Sequence, residues 1–336
     1  MDAIVLVGGQ GSRLRPLTAN RHKSLVPVLN RPALEYLFDW LERHGIARAV
    51  LALGQANEDL TATYPPGRRG SLELLPVFEK ERLESGGAIR HAAQHAGISG
   101  RFLVLNGDVF VDFDLTAAIT AHSAAKADLT LALHEEPDPS SFGVAVLDGG
   151  GFVVGFIEKP PPGEAPSNLV NAGVWIFEPG LVDEIPPGAV RVEETLFPSL
   201  VARGRRVLGF PFKGVWADLG TPARYLALNG ALLRGENAVA DGCTIATSAS
   251  LSGVSLGQGT VIEADARILD SILWEGVNVG QGAVIERSVV ADGVRIEPGA
   301  RVSGAVVGRG ASIAARAVVP PGTSIETDAR YDEAYG

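Results

Sequence analysis

The chain has 336 residues, 46% hydrophobic and 20% charged, a globular composition long enough for two domains. Its formal net charge of -10 excludes a general affinity for nucleic acid or an anionic membrane, because both rest on accumulated positive charge. A single cysteine, Cys243, excludes an internal disulfide and a cysteine-rich zinc site and reads as a small hydrophobe in a reducing compartment.

The opening "MDAIVLV" has an acid where a signal peptide needs bases, and its apolar run is too short to span a bilayer. The expectation is a cytoplasmic, soluble protein with no membrane partner. This first strand runs into "LVGGQGSRLRPLT", Leu6 to Thr18, and then "HKSLVPVLNRP". Gly8, Gly9 and Gly11 stand where strand gives way to loop, and glycine there lets backbone N–H groups lie against phosphate oxygens. A Walker loop needs Gly-Lys-Ser/Thr close behind, and a dinucleotide fingerprint needs a third glycine where Leu14 stands, so neither fits. Arg13 and Lys23 follow the loop, where they can hold a triphosphate.

Up to about Leu233, short apolar runs such as "AIVLV", "RAVLAL", "FLVLN" and "ADLTLAL" alternate with segments of helical period. In "PALEYLFDWLERHG", Leu34, Leu37, Phe38 and Leu41 share one face. The alternation predicts an α/β domain over 1–233, a parallel-rich sheet covered by helices. Asp108 and Asp218 stand at the ends of apolar strands, where a carboxylate either caps a helix or binds a cation.

From 237 to 330 the helical period is replaced by a 17-residue repeat, beginning "ASLSGVSLGQGTVIEAD" and "ARILDSILWEGVNVGQG". Aliphatic residues recur at steps of six, six and five, from Leu256, Ile262, Ile268, Leu273, Val279 and Ile285 to Val319. Three steps per unit predict three inward side chains per coil, with glycine and small residues at the corners. The pattern resembles the hexapeptide repeat of left-handed parallel β-helices. Val254, Trp274 and Val289 read as outward apolar groups on the flat sides. They lead to the expectation of a homo-oligomer, most simply a dimer, built at least partly through this domain. The tail "IETDARYDEAYG" reads as a polar cap on one end. Many such β-helices are acyltransferases with a histidine base, but all six histidines, the last being His134, precede the repeat. The repeat is therefore read as structural, regulatory or oligomerising.

The ordered string "GGQGSRLRPLTANRHKSLVPVLNRP" resembles the signature of the sugar-1-phosphate nucleotidylyltransferases, which condense a nucleoside triphosphate with a sugar 1-phosphate and release pyrophosphate. The resemblance continues through "NGDVF" (106–110), "GFIEKP" (155–160), "NAGVWIF" (171–177) and "WADLGTP" (216–222), and with the β-helix covers essentially the whole chain. It implies a Rossmann-like mixed sheet followed by a left-handed parallel β-helix. It also implies that Arg13, Lys23, Asp108 and Asp218 are catalytic, the two aspartates binding Mg2+ completed by substrate phosphates. Leu6, Gly8, Gly9, Gly11, Ser12, Glu79, Ser85, Gly86 and Asn106 would line the nucleotide. Gly143, Glu158, Lys159, Asn171 and Gly173 would receive the sugar phosphate, with Lys159 on the phosphate itself.

Two stretches depart from the family. His22 replaces the proline usual before Lys23, which is expected to loosen that backbone. "RLESGGAIR" (82–90) stands where the family commonly has Pro-Leu-Gly-Thr-Ala-Gly or Pro-Leu-Gly-Thr-Gly-Gly, placing Glu84 and Ser85 at base-contacting positions. This keeps open a catalytically silent, sugar-nucleotide-binding regulatory subunit. Glu79 lies where thymidylyl and uridylyl members carry glutamine, and a carboxylate suits the two adjacent donors of guanine. "EEPDPSSFGVAV" and "VEETLFPSL" resemble the mannose-1-phosphate guanylyltransferase branch. The expected partners are GTP and mannose 1-phosphate, with glucose-1-phosphate thymidylyl or uridylyl transfer as the alternative.

Overall fold

The computed structural model describes residues 1–9, 11–54 and 58–333. They form two compact units, one of residues 1–9 and 36–216, the other of residues 11–35 and 217–333.

The first unit is built on a 10-stranded mixed sheet. Its centre is four parallel strands in the order Phe102–Asn106, Asp2–Leu6, Arg48–Leu53 and Leu72–Phe78. The first three of these runs are almost wholly buried, as central parallel strands must be, while Leu72–Phe78 leaves Glu73 and Phe78 exposed. Antiparallel pairing flanks them: Gly67–Arg69 lies against Leu72–Phe78, and the nine-residue Leu169–Phe177 against both Phe102–Asn106 and Leu129–Glu135. The sheet is thus parallel at its centre and mainly antiparallel on its flanks, where Val207–Pro211 still runs parallel to Leu129–Glu135. Helix Ala33–Arg43 buries the predicted stripe, with Leu34, Leu37, Phe38 and Leu41 all at 3% exposure or less. The helix Glu84–His95 turns Ala88, Ile89, Ala92 and Ala93 into a core that includes Ile4, Val104, Trp175 and Phe197.

The second unit contains the repeat, folded as three parallel sheets of six, six and five short strands. Each strand pairs with the one 17 residues on, as in Ser255↔Ile272, Ile272↔Val289 and Val289↔Val306. This is the stack expected of a left-handed parallel β-helix. The predicted inward residues from Leu256 to Val319 are each buried to 2% exposure or less. Each coil turns on three left-handed corners, one series being Gly259, Gly276, Gly293 and Gly310 and another Gly253, Asp270, Arg287 and Gly304. After Val319 the rung lengthens by one residue, since Val306 pairs with Ser324 and Ser312 with Arg330.

Two expectations for this domain are corrected. Val254 is not outward: it occupies the rung position of Ser271 and Ser288 and lies fully buried in the solenoid core. Trp274 and Val289 are 2% exposed, so neither presents a contact surface; the Trp274 ring is covered by Arg21 and Tyr225 of the same unit. The tail does more than cap. Strand Arg330–Tyr331 adds a further rung, Tyr331 packs on the core, and its hydroxyl donates to the Val318 carbonyl at 3.2 Å. Residues 334–336 of that tail lie outside the described residues.

Candidate functional site

In the first unit, the central strands deliver their C-terminal ends to one set of candidate residues. Leu6 stands in register with Asn106 on one side and Ala52 on the other, and the Gly107 amide donates to the Leu6 carbonyl at 2.9 Å. Gly8 follows against the backbone of Gly54, Gly9 is exposed, and Asp108 is half-buried two residues beyond Asn106. Gly173 has φ +72°, and a Cβ there would fall 2.6 Å from the Asn106 amide nitrogen, so the site needs glycine twice over. Gln10, in the middle of the glycine loop, lies outside the described residues.

Glu79 is buried, and its Oε2 accepts the Leu83 amide at 3.0 Å. Burial pushes its carboxyl above the ordinary value against the opposing pull of that hydrogen bond. Glu79 is therefore no surface residue, and the Arg82 charge also pulls its carboxyl down. Ser85 donates to Oε2 of Glu193 at 2.6 Å and accepts from the Val192 amide at 3.1 Å, while the Gly86 amide donates to the Val190 carbonyl at 2.7 Å. Glu84 is drawn into ion pairs with Arg82 and Arg191. The unusual "RLESGGAIR" stretch is therefore locked onto residues 190–193 of the same unit.

Gly143 lies opposite Glu158 in antiparallel register, and a Cβ on it would come 2.7 Å from Oε2 of Glu158. Lys159 carries its side chain half-exposed, its Nζ 2.6 Å from Oε1 of Glu158, on a backbone with φ +49°. A lysine held in the left-handed region costs on the order of 1 kcal/mol, the kind of strain that collects at functional positions. Its amide donates to the Phe142 carbonyl, which anchors the turn. Asn171 Oδ1 accepts from the Trp175 indole at 2.7 Å and from the Gly173 amide at 3.2 Å.

Glu193 is the residue that reading the sequence missed. Burial raises its carboxyl above the ordinary value, the Glu158 charge adds to this, and Ser85 and Lys159 oppose it. The electrostatics thus tie Glu193, Glu158 and Lys159 into one cluster. The only signal was its place in "VEETLFPSL", and a glutamate in a polar-looking stretch announces nothing until its burial is known.

In the second unit, the other candidates converge on Asp218. Gly11, φ +61°, opens the short 3-10 turn Ser12–Leu14, in which Ser12 and Arg13 are exposed. A Cβ on Gly11 would meet Cβ of Lys23 at 3.0 Å, so the loop and the lysine segment pack directly. Lys23 is buried in the 3-10 turn Lys23–Leu25 with its Nζ 3.9 Å from Oδ1 of Asp218. Arg224 reaches Oδ2 of the same carboxylate at 3.2 Å. A Cβ on Gly220 would touch both Asp218 oxygens and, at 3.2 Å, the Arg13 guanidinium. Three cations therefore surround one aspartate in a chain of net charge -10. Arg224 was not anticipated from the sequence. Nor does His22 loosen the backbone: its Nδ1 accepts the Ser24 amide at 3.2 Å and caps the turn that presents Lys23.

Among the described residues, no group of three or more His, Cys, Asp or Glu side chains gathers as a metal cage. Among the described residues, no helix is long and apolar enough to cross a membrane.

Comparison with known proteins gives two family matches, Nucleotidyl transferase over residues 2–235 and GMPPB C-terminal domain over residues 233–330. The chain is 34% identical over 319 residues to the mannose-1-phosphate guanylyltransferase of Mycobacterium tuberculosis, covering 89% of this chain and 82% of that protein. It is 32% identical to the UTP--glucose-1-phosphate uridylyltransferase of Synechocystis, covering 70% of this chain and 64% of that protein. Among solved structures, HddC from Yersinia pseudotuberculosis complexed with GMP-PN matches with a TM-score of 0.58 at 25% identity, over 69% of this chain and 99% of that one.

Proposed function

The chain belongs to the nucleotidyl transferase family and carries its GMPPB-type C-terminal domain, and on that premise we propose that it condenses GTP with mannose 1-phosphate to give GDP-mannose and pyrophosphate. The observation that carries this reading is the ring of Lys23, Arg224 and Arg13 around Asp218, beside the glycine loop that opens at Gly11.

The chemistry needs no protein nucleophile. An oxygen of the sugar phosphate forms a bond to the α-phosphorus, the bond to the bridging β-phosphate oxygen breaks, and pyrophosphate leaves with that electron pair. The difficulty is bringing anions together: two unit charges ~4 Å apart repel by about 4 kcal/mol at an effective dielectric near 20. Lys23 and Arg13 neutralise the triphosphate and hold charge developing at the α-phosphate. Lys159, on its strained turn, holds the sugar phosphate, and Glu158 and Asn171 orient the hexose. Leu6, Gly8, Gly9, Gly11, Ser12, Ser85, Gly86 and Asn106 are assigned to the nucleotide, and Gly143 and Gly173 to the sugar side. The family works with a divalent metal, which we take to be Mg2+ held by Asp108 and Asp218, supplying further neutralisation of the phosphates.

The guanine preference rests on Glu79. A buried carboxylate with one oxygen on the Leu83 amide leaves Oε1 to accept from a purine edge, where a glutamine would present a donor as well. Likeness to a chain complexed with GMP-PN supports the same choice, while the Synechocystis relative keeps UTP and glucose 1-phosphate as the second reading. We place the catalytic domain at 1–233 and the β-helix at 237–330, and the protein in the cytoplasm as a homo-oligomer. With Val254, Trp274 and Val289 buried, Val239, Ile245 and Leu269 are the exposed large apolar groups among the described residues of the β-helix, and they support contact between copies through it.

The test is a screen of the common nucleoside triphosphates against several hexose 1-phosphates with Mg2+, read as pyrophosphate release. GTP with mannose 1-phosphate is expected to give the highest kcat/KM, and Asp108→Asn or Asp218→Asn to abolish nearly all of it with the fold intact. Full activity after chelation of divalent ions would remove the metal assignment. A sugar nucleotide that binds while no pair reacts would establish the silent subunit instead.

A further inference from the structure

The segment that carries Lys23 is held at both ends by the β-helix side of its own unit. On one side, Arg21 donates from Nη2 to Oδ2 of Asp292 at 2.9 Å and lays its guanidinium over the Trp274 ring, 4.8 Å from the centroid. On the other, the Trp274 indole donates to the Tyr225 hydroxyl at 3.0 Å, and that hydroxyl donates to the Pro27 carbonyl. Tyr225 is fully buried, and burial pushes its phenol far up, so it stays a donor. Further on, the Asn30 amide donates to the Leu256 carbonyl at 2.9 Å, and its oxygen accepts the Ser255 hydroxyl at 3.0 Å. Between these pins lies the 3-10 turn Lys23–Leu25, which His22 caps.

We propose that Arg21, Trp274 and Asp292 form a positioning clamp through which the β-helix sets Lys23 for the triphosphate, giving the repeat a part in turnover. The proposal rests on the reading of Lys23 as a triphosphate ligand. Arg21 suits the task because one planar group stacks on the indole face and donates at its edge to the Asp292 carboxylate, an arrangement the compact ammonium of a lysine reproduces poorly. A cavity of ≈ 200 Å³ lined by Pro16, Leu17, Asn20, Arg21, Trp274 and Asp292 gives the arginine room to swing once either partner is lost. The Arg21–Asp292 pair is part-buried, with side-chain exposures of 28% and 19%, so Tm is followed beside binding to separate lost stability from lost positioning.

The experiment is calorimetric titration of the full-length protein with GTP in Mg2+, and separately with mannose 1-phosphate, for wild type, Arg21→Gln, Asp292→Asn, Lys23→Met and the double variant Arg21→Gln/Lys23→Met. Arg21→Gln and Asp292→Asn are expected to weaken GTP binding by about 10-fold, with mannose 1-phosphate affinity and Tm unchanged, and Arg21→Lys to recover only part of the loss. Because Arg21 acts through Lys23, the double variant is expected to bind GTP no worse than Lys23→Met alone. Additive losses, equal losses for both ligands, or GTP affinity within about twofold of wild type in both single clamp variants would overturn the clamp. Unchanged GTP binding in Lys23→Met would instead overturn the role given to Lys23, and the clamp with it; the two failures are told apart by that one variant.

Discussion

Lys23 and Lys159 bear the same charge in opposite settings, one buried at Asp218, the other half-exposed on a left-handed turn beside Glu158. If they serve different substrates, Lys159→Met raises KM for the sugar phosphate by roughly 10- to 100-fold, the worth of a charge-assisted hydrogen bond, and leaves the nucleotide KM nearly unchanged. Arg13→Met does the reverse and also lowers kcat. Steady-state kinetics with each substrate varied separately checks both, and equal effects on both substrates would mean the residues are misplaced. Glu193 gives a pH test. Its carboxyl is raised by burial, so it favours the folded state below the ordinary carboxylate range, and that contribution is lost as pH rises through the folded value. Glu193→Gln removes the buried charge while keeping an oxygen to accept from Ser85. Tm of the variant is expected to exceed that of wild type at about pH 8 and to match it near pH 4, and a lower Tm at pH 8 would contradict the assignment. Ordered spacing alone singles out Arg13, Lys23, Asp108 and Asp218, and the structure brings Arg13, Lys23 and Asp218 together. Glu193, Arg224 and Arg21 were not legible, because their roles come from burial or from partners distant in the chain.

At the scale of elements, the solenoid was the most legible part, since a 17-residue period leaves little choice of fold and its inward aliphatics are buried as the steps demand. What the period does not show is which outward face is covered, and Trp274 and Val289 were misjudged for that reason. Nor does it show what small residues do. Ser271 and Ser288, one rung apart, form a ladder: each hydroxyl donates back to a carbonyl at 2.7 Å and accepts the buried amide of the next rung at 3.1 Å. Ser288→Ala would leave the Ala305 amide without that acceptor and is expected to destabilise the protein by about 1–3 kcal/mol in denaturant unfolding, with kcat retained. The catalytic sheet was legible in its parallel centre, where the strands read as continuous apolar runs. Its antiparallel flanks were not, because strand direction leaves no mark on such short runs.

For the whole molecule, the acidic net charge leaves anion binding to local clusters, and the ring of cations around Asp218 is such a cluster. Assembly is open to direct measurement. Light scattering of the full-length protein at micromolar concentration is expected to give at least a dimer mass, and Leu269→Glu to lower it; a monomer mass for the wild type removes the oligomer. The central claim, transfer of a nucleotidyl group, is tested most directly by following the phosphorus atoms of GTP in the presence of mannose 1-phosphate and Mg2+. Label at the α-phosphorus is expected to appear wholly in GDP-mannose, and label at the γ-phosphorus wholly in pyrophosphate. Label from the γ-phosphorus recovered on the sugar or as orthophosphate would contradict the account.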